Sequence, residues 1–247
     1  MRNAGAARRP CRVGADSRSP SLDRSGIRWF DISLTLRNPN IPMTERMTYQ
    51  ELANVPRWPI ERTLALPGRV RGNALRNWGV HVRNKFGPRA ADEIRAKLGL
   101  TAVEMPDEPT KKHWIPISAQ IRLVQIAIDD YLGGNPFAFE SLFEDTSGAA
   151  EKAMVLAGRM AGPAMVLRMA GSYHTGVCDV GTCTPTVEGK TATVIFSGAD
   201  VFGDPTWRFS QVVGMKTMFT TLKREIKLLE GEALGPRQFA IHMAWGN

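Results

Sequence analysis

The stretch 204–231 constrains the fold most, because it reads as one long amphipathic helix. Asp204 is a good N-cap residue, able to accept from the free N–H groups of a first turn, and Pro205 follows where a missing N–H costs nothing. Val212, Met215, Phe219, Leu222, Ile226 and Leu229 then recur at spacings of three and four, which draws a single apolar stripe. Gly231 can take the left-handed conformation that ends a helix. At about 1.5 Å of rise per residue, such a helix is a rod of roughly 40 Å. A rod of that length needs other elements along its whole apolar side.

The flanking sequence supplies them. Residues 182–187 and 191–196 are β-branched runs about a Glu188-Gly189-Lys190 turn, the signature of a hairpin. Pro185 assigns the first arm to an edge or a bulge, since it has no N–H to give a central ladder. Phe239, Ile241 and Met243 alternate with smaller or polar residues, so the chain closes on a strand. Upstream the period is helical. A short helix is expected at 48–53, and another at 72–86 with Leu75, Trp78, Val82 and Phe86 on one side. A third follows, with Ala91, Ile94 and Leu98 inward and Gly99 as its stop. Residues 101–113 form a polar loop. Ser118 caps the next helix, which carries Ile121, Val124, Ile128 and Leu132 on one side and Arg122, Gln125 and Asp129 on the other. Gly133-Gly134 ends it, and Asn135-Pro136 opens a short Phe-rich helix. Helices over 149–161 and 163–174 are divided at Gly162-Pro163, with Gly176 as terminator. The fold class expected is therefore α+β, with a helical front over 43–176 and a sheet with its long helix over 177–247, together one domain.

Charge narrows the functions. The 247 residues carry a net charge of +8, but residues 1–42 hold eight Arg against three Asp. The basic balance thus belongs mainly to a Ser-, Pro- and Gly-rich N-terminal stretch, and no nucleic-acid partner is expected from it. Residues 1–42 read as a disordered basic tail or as codons upstream of a true start at Met43 or Met47, ahead of a targeting peptide. Three cysteines, Cys11, Cys178 and Cys183, are too few and too odd in number for a disulfide scaffold, and point to a reducing, cytoplasmic setting. No apolar run reaches the length of a membrane span.

Catalytic motifs are missing: the chain has no G-x-S-x-G, P-loop, G-x-G-x-x-G or H-E-x-x-H. Asp129 and Asp130 are adjacent, so a helix points them apart and they form no converging acid pair. His174, Cys178 and Cys183 are the one cluster with metal-ligating residue types, yet the four residues between the cysteines are not a zinc spacing. Semi-buried thiols at a helix–strand junction is the simpler reading, and His174 with Cys178 is the sole nucleophile–base pair close in sequence. Phe137, Phe139, Phe143, Met154, Met165, Val166 and Met169 make a soft apolar region that either lines a ligand pocket or is plain core. Arg62, Arg69, Arg71 and Arg76 form a basic cluster that would need interleaved aromatics to hold phosphates, and Trp78 is the aromatic at hand.

Several pieces of punctuation carry a resemblance: Val70-Arg71-Gly72, Trp114-Ile115-Pro116-Ile117-Ser118, Gly133-Gly134-Asn135-Pro136, Gly162-Pro163 and the helix exit from Tyr173 to Gly176. Over about 68–245 the chain resembles an uncharacterised paralogous family best known from myxobacteria. That family looks distantly similar to a ligand-binding superfamily of haem nitric-oxide sensors, vinyl-reductase-like domains and Golgi-transport subunits. The resemblance implies a helical bundle, then strands, a long helix and closing strands. The haem sensors' Y-x-S-x-R motif would fall on Ile195-Phe196-Ser197-Gly198-Ala199, where the Ser alone survives, and 163–170 has no His. No haem or other cofactor is therefore expected. The function expected is non-catalytic: a sensory or adaptor domain for an apolar small molecule or a signalling protein partner, or a dimerisation module without ligand.

Overall fold

A computed structural model describes residues 45–75, 78–142 and 149–246, with side chains described from 158 in the last stretch. Expectations for residues 1–42, Arg76, Phe143 and the side chain of Met154 lie outside the described residues. The fold is α+β. Strand β1 (Arg46–Thr48) leads into helix α1 (Tyr49–Ala53), then α2 (Ile60–Leu64), β2 (Arg69–Arg71), α3 (Trp78–Phe86) and α4 (Ala90–Leu98). Strand β3 (Trp114–Pro116) precedes α5 (Ile117–Ile126), which runs on through a wide π turn at Ala127–Tyr131. Helices α6 (Ala149–Arg168) and α7 (Ala170–Val177) follow, then β4 (Thr182–Glu188), β5 (Thr191–Ser197), α8 (Pro205–Thr221), β6 (Ile226–Gly235) and β7 (Gln238–Trp245). The main sheet is antiparallel throughout in the order β1-β6-β7-β5-β4, and β2 with β3 makes a separate ribbon.

Local chemistry explains most element ends. Thr48 caps α1 through a capping box with Glu51. Gly99 closes α4 in the left-handed region at φ 68°. The β4–β5 hairpin turns through Gly189 at φ 58°, and β4 is the outer strand, where Pro185 is tolerated. Two caps differ from expectation. Pro116, not Ser118, is the N-cap of α5, because the ribbon holds the chain extended up to Pro116. Gly162 (φ 77°) does break α6 as its sequence suggests, but the following helix continues past Gly176 to Val177.

The larger correction concerns the long helix. Asp204 is its buried N-cap, accepting from the Trp207 N–H at 2.9 Å, but α8 ends at Thr221 rather than Gly231. The exit is a Schellman motif: Lys223 N–H bonds the Thr220 carbonyl at 3.0 Å and Arg224 N–H bonds the Phe219 carbonyl at 3.0 Å. The residue in the left-handed position is Lys223, at φ 55°, where glycine is the usual occupant. Ile226 and Leu229 consequently belong to β6, so two strands close the sheet instead of one. Gly231 is needed for space there, since a Cβ would sit 2.6 Å from Phe239 Cζ and 2.8 Å from Leu52 Cδ1. Because a non-glycine residue in this conformation costs about 1–2 kcal/mol, part of it recovered from the unfolded chain, Lys223→Gly should stabilise the domain by roughly 0.5–1 kcal/mol. Urea denaturation checks this. An unchanged or lower midpoint would contradict the assigned helix exit.

The sheet's inner face meets α8. Ala192, Val194 and Phe196 of β5 and Phe239, Ile241, Met243 and Trp245 of β7 are all buried. Trp207 on the first turn of α8 touches the rings of Phe196, Phe202 and Phe239, with centroids 5.0, 4.8 and 6.4 Å away. Phe219 on the last turn meets Trp245 at 5.5 Å. On its other side α8 takes the helical front. Gln125, expected on the solvent face of α5, is 3% exposed and donates to Thr206 Oγ1 at 3.0 Å. Arg122 in turn donates to Gln125 Oε1 at 2.6 Å, which satisfies the buried amide.

Candidate functional site

The outer side of the helix pair before the sheet carries the largest exposed apolar side chains of that region. After the break at Gly162, backbone bonds from Met169 N–H to the Met165 carbonyl (3.3 Å) and from Tyr173 N–H to the Met169 carbonyl (2.9 Å) keep one helical phase through 163–177. Leu167, His174 and Val177 share the inward side and are buried. Gly171 lets that side close on β4, since a Cβ there would lie 2.7 Å from the Cys183 carbonyl oxygen. Met165, Met169 and Tyr173, at successive spacings of four, face outward and are 48%, 56% and 57% exposed. Met160, just before the break, is 83% exposed. Between Lys152 and Asp179 the chain has no acidic residue, and Arg159 and Arg168 are exposed. Among described residues no helix is long and apolar enough to cross a membrane.

Of the residues read as a pocket, the described ones differ in exposure and are not gathered around one cavity. Phe139 is buried in the core. Phe137 is 41% exposed and meets Tyr49 edge-on at 5.6 Å, while Val166 is half-buried and Met165 and Met169 face solvent. A small open cleft of about 20 Å³ lies elsewhere, between α1, the π turn and the start of α8, lined by Leu52, Val55, Ile128, Pro205 and Phe209.

His174, Cys178 and Cys183 lie in one region, where α7 meets β4. The His174 imidazole lies between the rings of Phe196 and Phe202, at 5.8 and 5.9 Å, with Nε2 at 3.1 Å from the Val180 carbonyl oxygen. Burial lowers its pKa, so at neutral pH the ring is uncharged and donates from Nε2. Burial, with Asp179 and Cys183 nearby, pushes the Cys178 thiol up to about 12, and burial pushes Cys183 up to about 11. A nucleophilic cysteine needs the opposite shift, because the thiolate is the reactive form. Among the described residues no group of three or more His, Cys, Asp or Glu side chains is placed to hold a metal. Iodoacetamide at pH 7.5, followed by peptide mapping, should label Cys178 and Cys183 more slowly than free cysteine until the protein is unfolded. Labelling of Cys178 faster than free cysteine in the folded state would restore the thiol reading.

Asp129 and Asp130 diverge as their adjacency requires. Arg57 takes both oxygens of Asp129 at 2.7 and 2.8 Å, and Lys97 takes Asp130 at 2.7 Å.

One polar constellation was not foreseen from the sequence, and a second, the basic cluster, is built on a different aromatic from the one expected. On the outer face of the sheet, His242 Nε2 lies 2.7 Å from Glu232 Oε2 and its Nδ1 lies 3.2 Å from Thr193 Oγ1. The order hydroxyl, imidazole, carboxylate matches a nucleophile relay, but Thr193 lies on β5, whose backbone is paired on both sides by β4 and β7. The trio is a cross-strand polar cluster that Arg46 extends, its Nε 3.8 Å from Glu232. The second constellation is the basic ribbon. Trp78 turns inward, 7% exposed, and donates to the Pro106 carbonyl at 2.9 Å. Trp114 instead is the aromatic among the arginines, with the guanidinium of Arg71 4.0 Å and that of Arg69 5.4 Å from its ring centre. Arg62 stacks separately on Trp58 at 3.4 Å.

No family model matches the chain, and no curated protein or solved structure matches it significantly.

Proposed function

We propose that this chain is a non-catalytic adaptor domain of the cytoplasm, and that its contact surface for a protein partner is the outer side of 163–177. The observation that carries this reading is the outward row of Met165, Met169 and Tyr173 on a helix whose inward side is already buried. A domain that exposes large apolar side chains in register along a helix presents a binding face, and methionine adapts its shape to a partner's. Arg159 and Arg168, with no acidic residue between Lys152 and Asp179, fix the chemistry of the partner: an amphipathic helix with acidic flanks. The shielded thiols and the neutral, buried His174 agree with a role outside catalysis. The order of a helical front, a hairpin, a helix and a second hairpin is also the plan that the resemblance to the myxobacterial family and its ligand-binding superfamily implies.

A displayed library of amphipathic-helix peptides tests the proposal. The folded protein should enrich sequences with apolar residues at i, i+3 and i+4 and Asp or Glu at the flanks. The double variant Met165→Glu, Met169→Glu should lose that binding while keeping its melting temperature, since both side chains face solvent. Absence of enrichment, or full retention of binding by the double variant, would contradict the proposal. A concentration-dependent dimer that the double variant abolishes would replace the partner with a second copy of the chain.

A further inference from the structure

The ribbon of β2 and β3 carries a second site, independent of the adaptor face. Val70 and Ile115 are paired in register and buried, so the alternate residues Arg69, Arg71 and Trp114 share the outer side. Both guanidiniums are held in place. Arg71 lies over the indole while its Nη1 donates to the Lys111 carbonyl at 2.8 Å. Arg69 donates through its backbone N–H and its Nε to the two oxygens of Asp179, at 2.6 and 3.0 Å. Each guanidinium is bonded in these contacts through one nitrogen, and Arg69 is 59% exposed along its side chain. Lys111 and Lys112 are exposed in the turn that leads into Trp114. Of the charged side chains in this array, four are cations, and among the described residues Asp179 is the carboxylate that contacts them.

We infer that this array binds a phosphate monoester dianion, with the guanidiniums of Arg69 and Arg71 on its oxygens and the Trp114 ring beside its organic group. Arginine forks fit phosphate oxygens in pairs, and stacking on an aromatic face fixes the fork before the ligand arrives. The charge surplus suits a compact ligand better than a polyanion. With about three uncompensated cations, a nucleic acid would gain a salt slope of only about −2 to −3, too little to hold it at physiological salt. A phosphorylated side chain of a protein and a small phosphate ester share the required chemistry, and the experiment separates them.

Calorimetric titration of the full chain with phenyl phosphate and with a phosphotyrosine peptide tests the site. Saturable binding is expected, at least about tenfold weaker in Arg71→Gln, because a charge-assisted fork is lost. Arg71→Lys keeps the charge and should still bind severalfold more weakly, and it preserves the test if Arg71→Gln does not fold. Tighter binding of the peptide identifies a protein source, and equal or tighter binding of phenyl phosphate identifies a small ester. Absence of saturable binding by either probe, or unchanged binding in a folded Arg71→Gln, would overturn the inference. So would a single-stranded RNA that binds more tightly than both probes and depends on Arg71. The adaptor-face variant Met165→Glu, Met169→Glu should bind the phosphate probes normally, so failure of either proposal is seen separately.

Discussion

Phe219→Ala should destabilise the domain by about 3–5 kcal/mol, through lost transfer free energy and the cavity left behind. The ring is 0% exposed, packs on Trp245 at 5.5 Å, and its carbonyl anchors the Schellman exit of α8 through Arg224 N–H. For a chain of this size, each kcal/mol lowers the melting temperature by about 2–4 °C, so a loss on the order of 10 °C is expected. Thr220→Ala is the control. Thr220 is exposed and its hydroxyl donates back to the Lys216 carbonyl, so removing that side chain should cost no more than about 0.5 kcal/mol. Equal melting of the two variants would put the phase of α8 in error.

Trp207→Ala should cost as much, about 3–5 kcal/mol, for a different reason. Trp207 is 4% exposed and sits where α8 begins, touching Phe196 from β5, Phe202 from the preceding 3₁₀ turn and Phe239 from β7. Removing it takes one ring from three aromatic pairs, each worth about 0.5–1.5 kcal/mol beyond the area it buries. Phe202 is packed closely on Gly181, where a Cβ would lie 2.3 Å from its ring. Trp207→Phe should recover part of the loss, because an edge-on ring can still meet Phe196. A chemical-denaturation series over the three proteins orders them wild type, Trp207→Phe, Trp207→Ala. Equal stability of the two variants would mean that the cluster is not what joins α8 to the sheet.

Features set by short-range chemistry were legible in the sequence. The Asp204-Pro205 start of α8, the left-handed stops at Gly99 and Gly133-Gly134, the Gly189 hairpin and the alternation of β7 all depend on residues within a few positions of one another. The end of α8 was not legible because Lys223, rather than a glycine, takes the left-handed position. Ile226 and Leu229 happened to continue the helical spacing while β6 places them in the sheet. Gln125 turned inward because Thr206, eighty-one positions away, offers its buried amide a partner. The strands β1, β2 and β3 are three residues each, too short to show a period.

The candidate sites divide in the same way. Met165, Val166 and Met169 were visible as part of an apolar group, but whether they faced a pocket or solvent depended on which side of the helix β4 covers. The His174 region was found because its residues are close in sequence. The trio Thr193, Glu232 and His242 and the stacking of Arg69 and Arg71 on Trp114 depend on strand register, and no spacing in the chain announces them.

The claim that 163–177 is the docking face is tested most directly by site-specific cross-linking. p-Benzoylphenylalanine placed at Met169, and separately at Thr186 on the exposed outer side of β4, is irradiated with the acid-flanked amphipathic helix selected by display. The account predicts a covalent adduct from position 169 and none from position 186. An adduct from 186 with none from 169 would contradict it.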